Sequence, residues 1–374
     1  MKKINISQID TLFVNGNYPI EMLLFYEHKI DTGTIKKSLK RISSSFWPLF
    51  GQYSDGIIQS SKYSEGKFLS ESIYTEDFDA DTDQMEIWKK YNAVSPKEME
   101  RLFFLSILQF NNGTVIIPKM NHLVGDGYSY FYFLSVLAAL SVQSNIPFKK
   151  LAISLLASPQ LDRTVIRAYQ FNKTRIEEPL DHQNCSIEIE QVKKRDVKQE
   201  IKKIKTKYDT SVSANDILSA MVFKKTFEKQ KKVIDSLFTL SIPMDVRQQV
   251  KDLGPKFFGN GLMIHHLKLS VEELEEIDIS ELAVKLRKSM PSVNREDYVK
   301  FLNNLESEIE GASIHALKPY DPERGCLVTN LSRMPIQKLN FGSGNPALVV
   351  PLTIGRNSAA VLADRESFIL RLVY

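Results

Sequence analysis

The stretch KMNHLVGDGYSY, residues 119–130, lies at a change of sequence pattern. Two largely apolar runs, 102–110 and 114–122, lead into it. They are joined by the turn NNG and predict a β-hairpin. After it, residues 127–143 are apolar on nearly every side, which predicts a buried helix. His122, one of six histidines in the chain, therefore lies between a central strand and a core helix.

His122 on its own has several explanations. A histidine at a strand end is often a core residue whose ring nitrogens are satisfied by neighbours. A metal site requires further ligands, and Asp126 alone is not sufficient, so no metal site is expected. A nucleophile activated by the histidine requires a suitably placed Ser or Cys, and the sequence has no G-x-S-x-G elbow. The pattern H-x-x-x-D-G, formed by His122, Asp126 and Gly127, leaves chemistry and packing both open.

Composition narrows the class of protein. Apolar residues make up 43% and charged residues 25%, which is typical of a globular protein. The net charge of +4 is too small to favour a nucleic-acid partner. Cys185 and Cys326 provide neither a disulfide framework nor a metal-ligand cluster. The start, MKKINISQID, has no apolar h-region and no run of about 18 apolar residues follows, so we expect no signal peptide, no membrane span and a cytoplasmic location.

The domain organisation follows from length and local composition. The 374 residues are enough for two domains. Residues 169–184 are polar, contain a proline and lack periodicity, so they are predicted to link an N-terminal half, 1–168, to a C-terminal half, 185–374. In the first half, residues 20–30 predict a strand and the segment from Thr32 predicts a helix that Pro48 ends.

The C-terminal half begins with a basic helix, predicted over residues 191–208. Four apolar residues lie on one face of this helix and eight Lys or Arg residues occupy the rest. A solvated surface helix is the favoured interpretation, and a positive rim for a polyphosphate ligand is the alternative. Ser213, with Asp216 three residues later, resembles a capping box and predicts the start of the next helix.

Six motifs place His122 in a wider context. They are ISQID (6–10), LKRISSSFWPLFGQY (39–53), NHLVGDG (121–127), SANDILSAMVF (213–223), MDVRQQV with FFGNG (244–250 and 257–261), and VTNLSRMPIQKLNFGSGNP (328–346). In content and order they are similar to the motifs of the BAHD family of acyl-CoA-dependent acyltransferases, which the chain resembles over nearly its whole length.

The resemblance implies an α/β fold of two similar chloramphenicol-acetyltransferase-like domains, each a mixed sheet with flanking helices. The active-site channel would lie between them, with roughly residues 341–362 crossing back to the first domain. The implied reaction moves an acyl group from coenzyme A to a small-molecule alcohol or amine. Acyl-CoA would be a co-substrate, no cofactor would be permanently bound, and the enzyme would act as a monomer in secondary metabolism.

The resemblance also implies roles for particular residues. His122 would be the general base, a task that suits an imidazole with an ordinary pKa near 6.5. Asp126 would point away from the site and pair with Arg247, while Gly127 would allow a tight turn. Thr329 would donate a hydrogen bond to the oxyanion or the acceptor, although an ordinary strand threonine is equally compatible with the sequence.

The donor side is less sharply defined. Ser213, at the start of its helix, matches the family's coenzyme A side, and a helix N-terminus can bind an anion. Lys205 and Lys207, together with Lys202, are candidates for the phosphates.

Three positions differ from the family pattern. Asn340 and Ser343 replace residues regarded as structural in the family. Leu331 replaces a tryptophan that helps to hold the oxyanion in some members, so the source of the oxyanion donor stays open.

Two alternatives remain at this stage. The first is a condensation-type enzyme that takes the acyl group from a carrier protein. Such domains usually carry a second histidine directly before the first, and Asn121 occupies that position here, which favours coenzyme A. The second is a non-catalytic ligand-binding relative, which the presence of His122, Asp126 and Arg247 disfavours.

Overall fold

A computed structural model describes residues 1–14, 19–92, 101–142, 157–167, 169, 185–230, 237–311 and 318–374. Within these ranges the strands are β1 (Lys3–Asn5), β2 (Ile20–Tyr26), β3 (Gln52–Ser54), β4 (Ile57–Gln59), β5 (Leu69–Ile73), β6 (Phe103–Phe110), β7 (Gly113–Met120), β8 (Ile187–Lys193), β9 (Leu237–Asp245), β10 (Leu262–Ser270), β11 (Gly325–Asn330), β12 (Leu348–Pro351), β13 (Ser358–Ala363) and β14 (Ser367–Val373). The helices are α1 (Thr32–Ile42), α2 (Glu65–Phe68), α3 (Gln84–Tyr91), α4 (Gly127–Val142), α5 (Lys194–Tyr208), α6 (Ala214–Gln230), α7 (Val271–Glu276), α8 (Ile279–Ser289) and α9 (Arg295–Gly311).

The first large sheet has five strands in the order β12-β2-β7-β6-β5. Its centre is the predicted hairpin, in which β6 and β7 run antiparallel with Phe103 opposite Met120. Nearly every residue of the two strands is buried and most are apolar, as in sheets that are covered on both faces. The all-round apolar helix α4 packs against α1. The core of this half therefore lies directly behind the loop that carries His122.

Helix α1 is shorter than the sequence suggested. It ends at Ile42, and Trp47–Phe50 form a separate 3-10 turn. Serines compete with the helix backbone for hydrogen bonds, and Pro48 disfavours a helical residue before it, so Ser43–Ser45 form a turn instead. Ile35, Leu39 and Ile42, spaced three to four residues apart on α1, are nevertheless fully buried.

The second large sheet has six strands in the order β10-β9-β11-β13-β14-β8. Its central strand β11 runs parallel to both neighbours, β9 and β13. Helix α6 packs on β11, and α5 and α8 pack against α6. The predicted basic helix begins three residues late, at Lys194, because Gln191–Lys193 instead pair with β14 as the end of β8.

One strand from the C-terminal half of the chain belongs to the sheet of the N-terminal half. Strand β12 pairs antiparallel with β2, with Val350 opposite Leu23, so a segment between β11 and β13 joins the sheet of the N-terminal half. Of the predicted linker, residues 170–184 lie outside the described residues. No helix in the described ranges combines the length and the apolar composition that crossing a bilayer requires.

Candidate active site

His122 is held in place by Asn260. The Asn260 Nδ2 amide donates to His122 O at 2.9 Å and to Asp10 Oδ1 at 2.7 Å, which leaves Asn260 Oδ1 as an acceptor. This oxygen lies 3.1 Å from His122 Nδ1, so Nδ1 carries the proton and Nε2 is the basic nitrogen. The imidazole also stacks on Phe13, with ring centroids 3.8 Å apart.

A buried chain of polar groups supports Asn260 from behind. Asp10 accepts from Asn260 and, through Oδ2, from Arg163 Nη1 at 2.6 Å. Arg163 also donates to the backbone carbonyls of Leu123 and Val124, within the loop that carries His122. Sequence reasoning noted Asp10 only as part of a motif and did not single out Arg163 or Asn260. Their contacts span 39 to 250 positions, which no local pattern reports.

The electrostatic setting keeps His122 neutral. Burial lowers the pKa of His122 below its ordinary value of 6.5, and this effect exceeds the opposing influence of Asp126, Asn260 and Asp10. An imidazole that is neutral at pH 7 with a basic Nε2 can accept a proton. Among the described residues, no side chain forms a hydrogen bond with Nε2.

Asp126 and Arg247 form a buried bidentate ion pair. Arg247 Nη1 lies 2.8 Å from Asp126 Oδ2, and Nη2 lies 2.9 Å from Oδ1. The backbone amides of Ser129 and Gly261 also donate to the carboxylate, at 3.0 and 2.9 Å. Burial acts to raise the pKa of Asp126, but the charge and hydrogen bonds of Arg247 and the two amides outweigh it, so the pKa lies below its ordinary value. Asp126 is therefore ionised and makes no hydrogen bond to His122.

Two glycines at this site differ in what they require. A Cβ on Gly261 would lie 2.7 Å from Arg247 Cζ, so only glycine lets the backbone approach the guanidinium this closely. A Cβ on Gly127 would meet Leu331 Cδ2 at 3.6 Å, an ordinary contact, and Gly127 does not have a positive φ. The chain turns between His122 and α4, but Gly127 does not need the conformational freedom of glycine there. Gly127 instead begins α4 and lines a cavity.

Two cavities adjoin at the site, and His122 lines the smaller one. The smaller, of about 180 Å³, is lined by His122, Thr329 and Leu331. The larger, of about 1080 Å³, is lined by Ser213 and by residues of α4 and the segment after β11. Pro243 lines both cavities, so they adjoin. The two adjoining spaces differ about sixfold in volume.

Thr329 is the polar residue of β11 that lines the smaller cavity with His122. Its hydroxyl forms no hydrogen bond with any described side chain and is available to a ligand. Leu331 lines the same cavity with an apolar side chain that cannot donate a hydrogen bond. The geometry thus leaves Thr329 as a candidate oxyanion donor.

Ser213 lies on the larger cavity, but its side chain is already engaged. Its hydroxyl donates to Asp216 Oδ2 at 2.9 Å and accepts from Arg287 Nη2 at 2.9 Å. The backbone N–H of Ser213 donates to Asp216 Oδ2 at 2.6 Å, which completes the capping arrangement that the sequence suggested. Ser213 therefore shapes the entrance of α6 together with Arg287.

Lys205 and Lys207 lie away from the larger cavity. Lys205 pairs with Asp209 at 2.8 Å and Lys207 with Asp278 at 3.8 Å, both at the exposed surface. They occupy the last turn of α5, roughly 16 Å along the helix axis from its first residue. That first residue, Lys194, lines the larger cavity, as do Arg287 and Arg333. Sequence reasoning missed these three cations because they come from three separate segments.

The remaining candidate chemistries find no support in the described part of the chain. There, no group of three or more His, Cys, Asp or Glu side chains is placed to hold a metal ion. Cys326 is fully buried, and burial raises the pKa of its thiol, which makes it a poor nucleophile. His122, on the lining of the smaller cavity, has a basic Nε2 that is placed to accept a proton.

The predicted fold class is confirmed by comparison with solved structures. The chain has the chloramphenicol-acetyltransferase-like α/β fold, in which two sheets with flanking helices enclose a channel. TRI101 of F. graminearum, complexed with coenzyme A and T-2 mycotoxin, superposes with a TM-score of 0.76 over 100% of this chain and 95% of that chain, at 15% identity. The model of the Transferase family matches residues 2–367, and the chain belongs to this family, that of the BAHD acyltransferases.

Two curated relatives show how far this chain has diverged within the family. Piperine synthase of Piper nigrum is 24% identical over 276 residues, 71% of this chain, and the match spans only 58% of that enzyme's length. Shikimate O-hydroxycinnamoyltransferase of Nicotiana tabacum is 23% identical over an alignment of 387 residues, 92% of this chain and 85% of that enzyme. Identities this low do not transfer a particular substrate.

The Asp126–Arg247 pair gives a prediction about stability. Asp126→Ala leaves the buried guanidinium without its main partner, so the free energy of unfolding should fall by about 3–5 kcal/mol. Arg247→Ala should be similarly destabilising, and the double variant should lose much less than the sum of the two, as measured by thermal and denaturant unfolding. Additive losses in this double-mutant cycle would contradict the pairing.

Proposed function

We propose that this chain transfers an acyl group from a coenzyme A thioester to an alcohol or amine, with His122 as the general base. The observation that carries the proposal is the neutral imidazole on the lining of the smaller cavity, which adjoins the larger one. Its Nδ1 is bound by Asn260, and its Nε2 has no hydrogen-bond partner among the described residues. Membership of an acyltransferase family supports the reaction class.

The two cavities fit two substrates of different size. The larger, of about 1080 Å³, suits the long pantetheine and nucleotide of a coenzyme A thioester, and three cations on its lining suit the phosphates. The smaller, of about 180 Å³, suits a compact acceptor beside His122. Holding both substrates in one ternary complex supplies the proximity on which a direct transfer depends.

The reaction then runs without a covalent enzyme intermediate. His122 Nε2 takes the proton of the acceptor hydroxyl or amine as that oxygen or nitrogen attacks the thioester carbonyl. The Thr329 hydroxyl donates a hydrogen bond to the oxyanion that forms. As the carbon–sulfur bond breaks, the imidazolium returns the proton to the departing thiolate, and the neutral imidazole is restored.

The test of the function is an acyl-transfer assay with purified protein, a panel of acyl-CoAs and a panel of alcohols and amines. His122→Ala should lower turnover by about 10²–10⁴-fold, the usual contribution of a general base. Its melting temperature should change less than that of Asp126→Ala, because no ion pair is broken. Binding of coenzyme A, measured by calorimetry, should persist.

Two results would contradict this proposal. The first is near wild-type turnover by His122→Ala with normal coenzyme A binding. The second is an acyl group found on Cys185 or Cys326 by mass spectrometry. Free coenzyme A should also compete with the donor, whereas a requirement for a loaded carrier protein would favour the condensation-type alternative.

The environment of His122 gives a prediction about pH. Because burial lowers the pKa of His122, the neutral, active form persists below pH 6.5 and kcat/KM should fall only below that pH. Asn260→Asp places a carboxylate beside Nδ1, which favours the imidazolium, so the fall should move to higher pH. The measurement is kcat/KM against pH for both proteins, with Asn260→Ala as the uncharged control. An unchanged profile in Asn260→Asp would show that His122 is not the titrating base.

The lining of the larger cavity gives a prediction about the donor. Arg333→Ala removes an exposed cation from this lining and should raise KM for acyl-CoA by about fivefold to tenfold with little change in kcat, as expected for a charge-assisted contact with a phosphate. Lys205→Ala is the matched control, since Lys205 pairs with Asp209 at the surface and should leave KM unchanged. An equal effect of the two substitutions would remove the assignment of this lining to the phosphates.

A further inference from the structure

Arg371, on β14, is a buried cation that has no counter-ion within the described ranges. Its side chain is 2% exposed. Nε donates to Gln84 Oε1 at 3.2 Å and Nη1 donates to the Thr353 carbonyl at 3.1 Å, and both acceptors are neutral. Nη2 is almost fully shielded and has no hydrogen-bond partner in the part of the chain that the structure describes. Among the described residues, no carboxylate forms an ion pair with Arg371.

The other buried arginines of the described chain are paired. Arg163 lies 2.6 Å from Asp10, and Arg247 lies 2.8 Å from Asp126. A buried charge that lacks such a partner is strongly unfavourable, and proteins usually keep one where a ligand supplies the opposite charge. Burial lowers the pKa of Arg371 to about 10, which still leaves the guanidinium charged at neutral pH.

The position of Arg371 relates it directly to the proposed reaction. Thr329 on β11 pairs with Ala360 on β13, and Ala360 pairs with Arg371 on β14. Residues paired side by side across neighbouring strands project from the same face of a sheet. Two strand spacings separate the backbones of Thr329 and Arg371 by about 10 Å. The small side chain of Ala360 leaves the space between them open.

The cavity lined by this row matches an apolar molecule with one negative group. Thr329, Ala360 and Arg371 line the smaller cavity together with His122, and much of the remaining lining is apolar. Glu21 is the other charged residue of this lining. It faces Lys119 on the neighbouring strand, with Lys119 Nζ 3.6 Å from the carboxylate. The charge left without a partner in the cavity is thus the positive charge of Arg371.

We propose that Arg371 binds a carboxylate of the acceptor, so that the acceptor is a small hydroxy acid or amino acid rather than a neutral alcohol or amine. The two N–H groups of Nη2, which are shielded in this structure, donate to the carboxylate once the guanidinium turns toward the cavity, while the acceptor's hydroxyl or amine lies between His122 and Thr329. This inference rests on the proposed function, because the assignment of the two ends of the acceptor depends on His122 as the base.

The experiment uses hydroxycarboxylic acids of graded length, from glycolate to the hydroxybenzoates, each paired with its primary amide. The amide has the same shape and lacks the charge. Wild-type protein should transfer acetyl from acetyl-CoA to at least one acid with a kcat/KM on the order of 10- to 100-fold above that of its amide, the range expected for a hydrogen-bonded charge pair. Arg371→Met should lose this preference, and Arg371→Lys should retain part of it. Arg41→Met, which removes an exposed arginine of α1, is the matched control and should retain it fully.

Binding is measured separately from transfer. Acids should raise the melting temperature of the wild-type protein more than their amides do, and this difference should vanish in Arg371→Met. If no acceptor is acylated but this difference is found, the proposed function fails and the carboxylate site stands. If amides are acylated and bound as well as acids, the function stands and the carboxylate site is wrong.

A third arm identifies the source of the carboxylate. Malonyl-CoA replaces acetyl-CoA with neutral alcohols as acceptors. A gain in kcat/KM for malonyl-CoA that disappears in Arg371→Met, without any preference among acceptors, would assign the site to the acyl group and overturn its assignment to the acceptor. The wild-type comparison of acid with amide decides the question even if an Arg371 variant does not fold.

Discussion

The bidentate contact between Asp126 and Arg247 is the interaction on which the site depends. It fastens the loop after β7 to the segment after β9, which come from different sheets. The same carboxylate accepts from the Gly261 amide, so it also fixes the residue next to Asn260. The ion pair thereby helps to position His122 through Asn260 and the backbone, although Asp126 itself makes no hydrogen bond to the imidazole. A substantial desolvation penalty is offset because nearly every polar atom of the pair is satisfied.

The charges around His122 explain why the imidazole stays neutral. Two carboxylates, Asp10 and Asp126, lie close enough to favour its protonated form. Each is paired with its own buried arginine, Arg163 and Arg247 respectively. Their influence on the imidazole is therefore reduced, and desolvation decides the direction of the pKa shift. A site with the same carboxylates and without these arginines would favour an imidazolium, which cannot accept a proton.

The two cavities follow from how the sheets meet. Strand β11 contributes Thr329 to the smaller cavity, and Leu331, directly after the strand, lines the same cavity. The next residues, from Ser332 to Pro335, line the larger one. Successive residues such as Gly127 and Tyr128 likewise face different cavities. A short stretch of chain therefore separates a space with three cations from one in which Arg371 is the cation without a carboxylate partner. In the proposed reaction, the larger space takes the phosphorylated donor and the smaller one takes a compact acceptor beside His122.

The sequence by itself determined the local elements and the identity of the central residue. Apolar periodicity predicted the hairpin, the core helix α4 and the place of His122 between them, and the ordered motifs indicated the family and a pairing of Asp126 with Arg247 that the structure contains. Only the tertiary structure decided what surrounds His122. Asn260 and Asp10 are 250 positions apart, and Arg371 is connected to Thr329 only through the register of three strands. The tertiary structure also decided that Lys194, and not Lys205 about three turns further along the same helix, lines the larger cavity. Local periodicity reports which face of an element is buried, whereas such contacts depend on how distant segments are brought together, and no spacing along the chain records that.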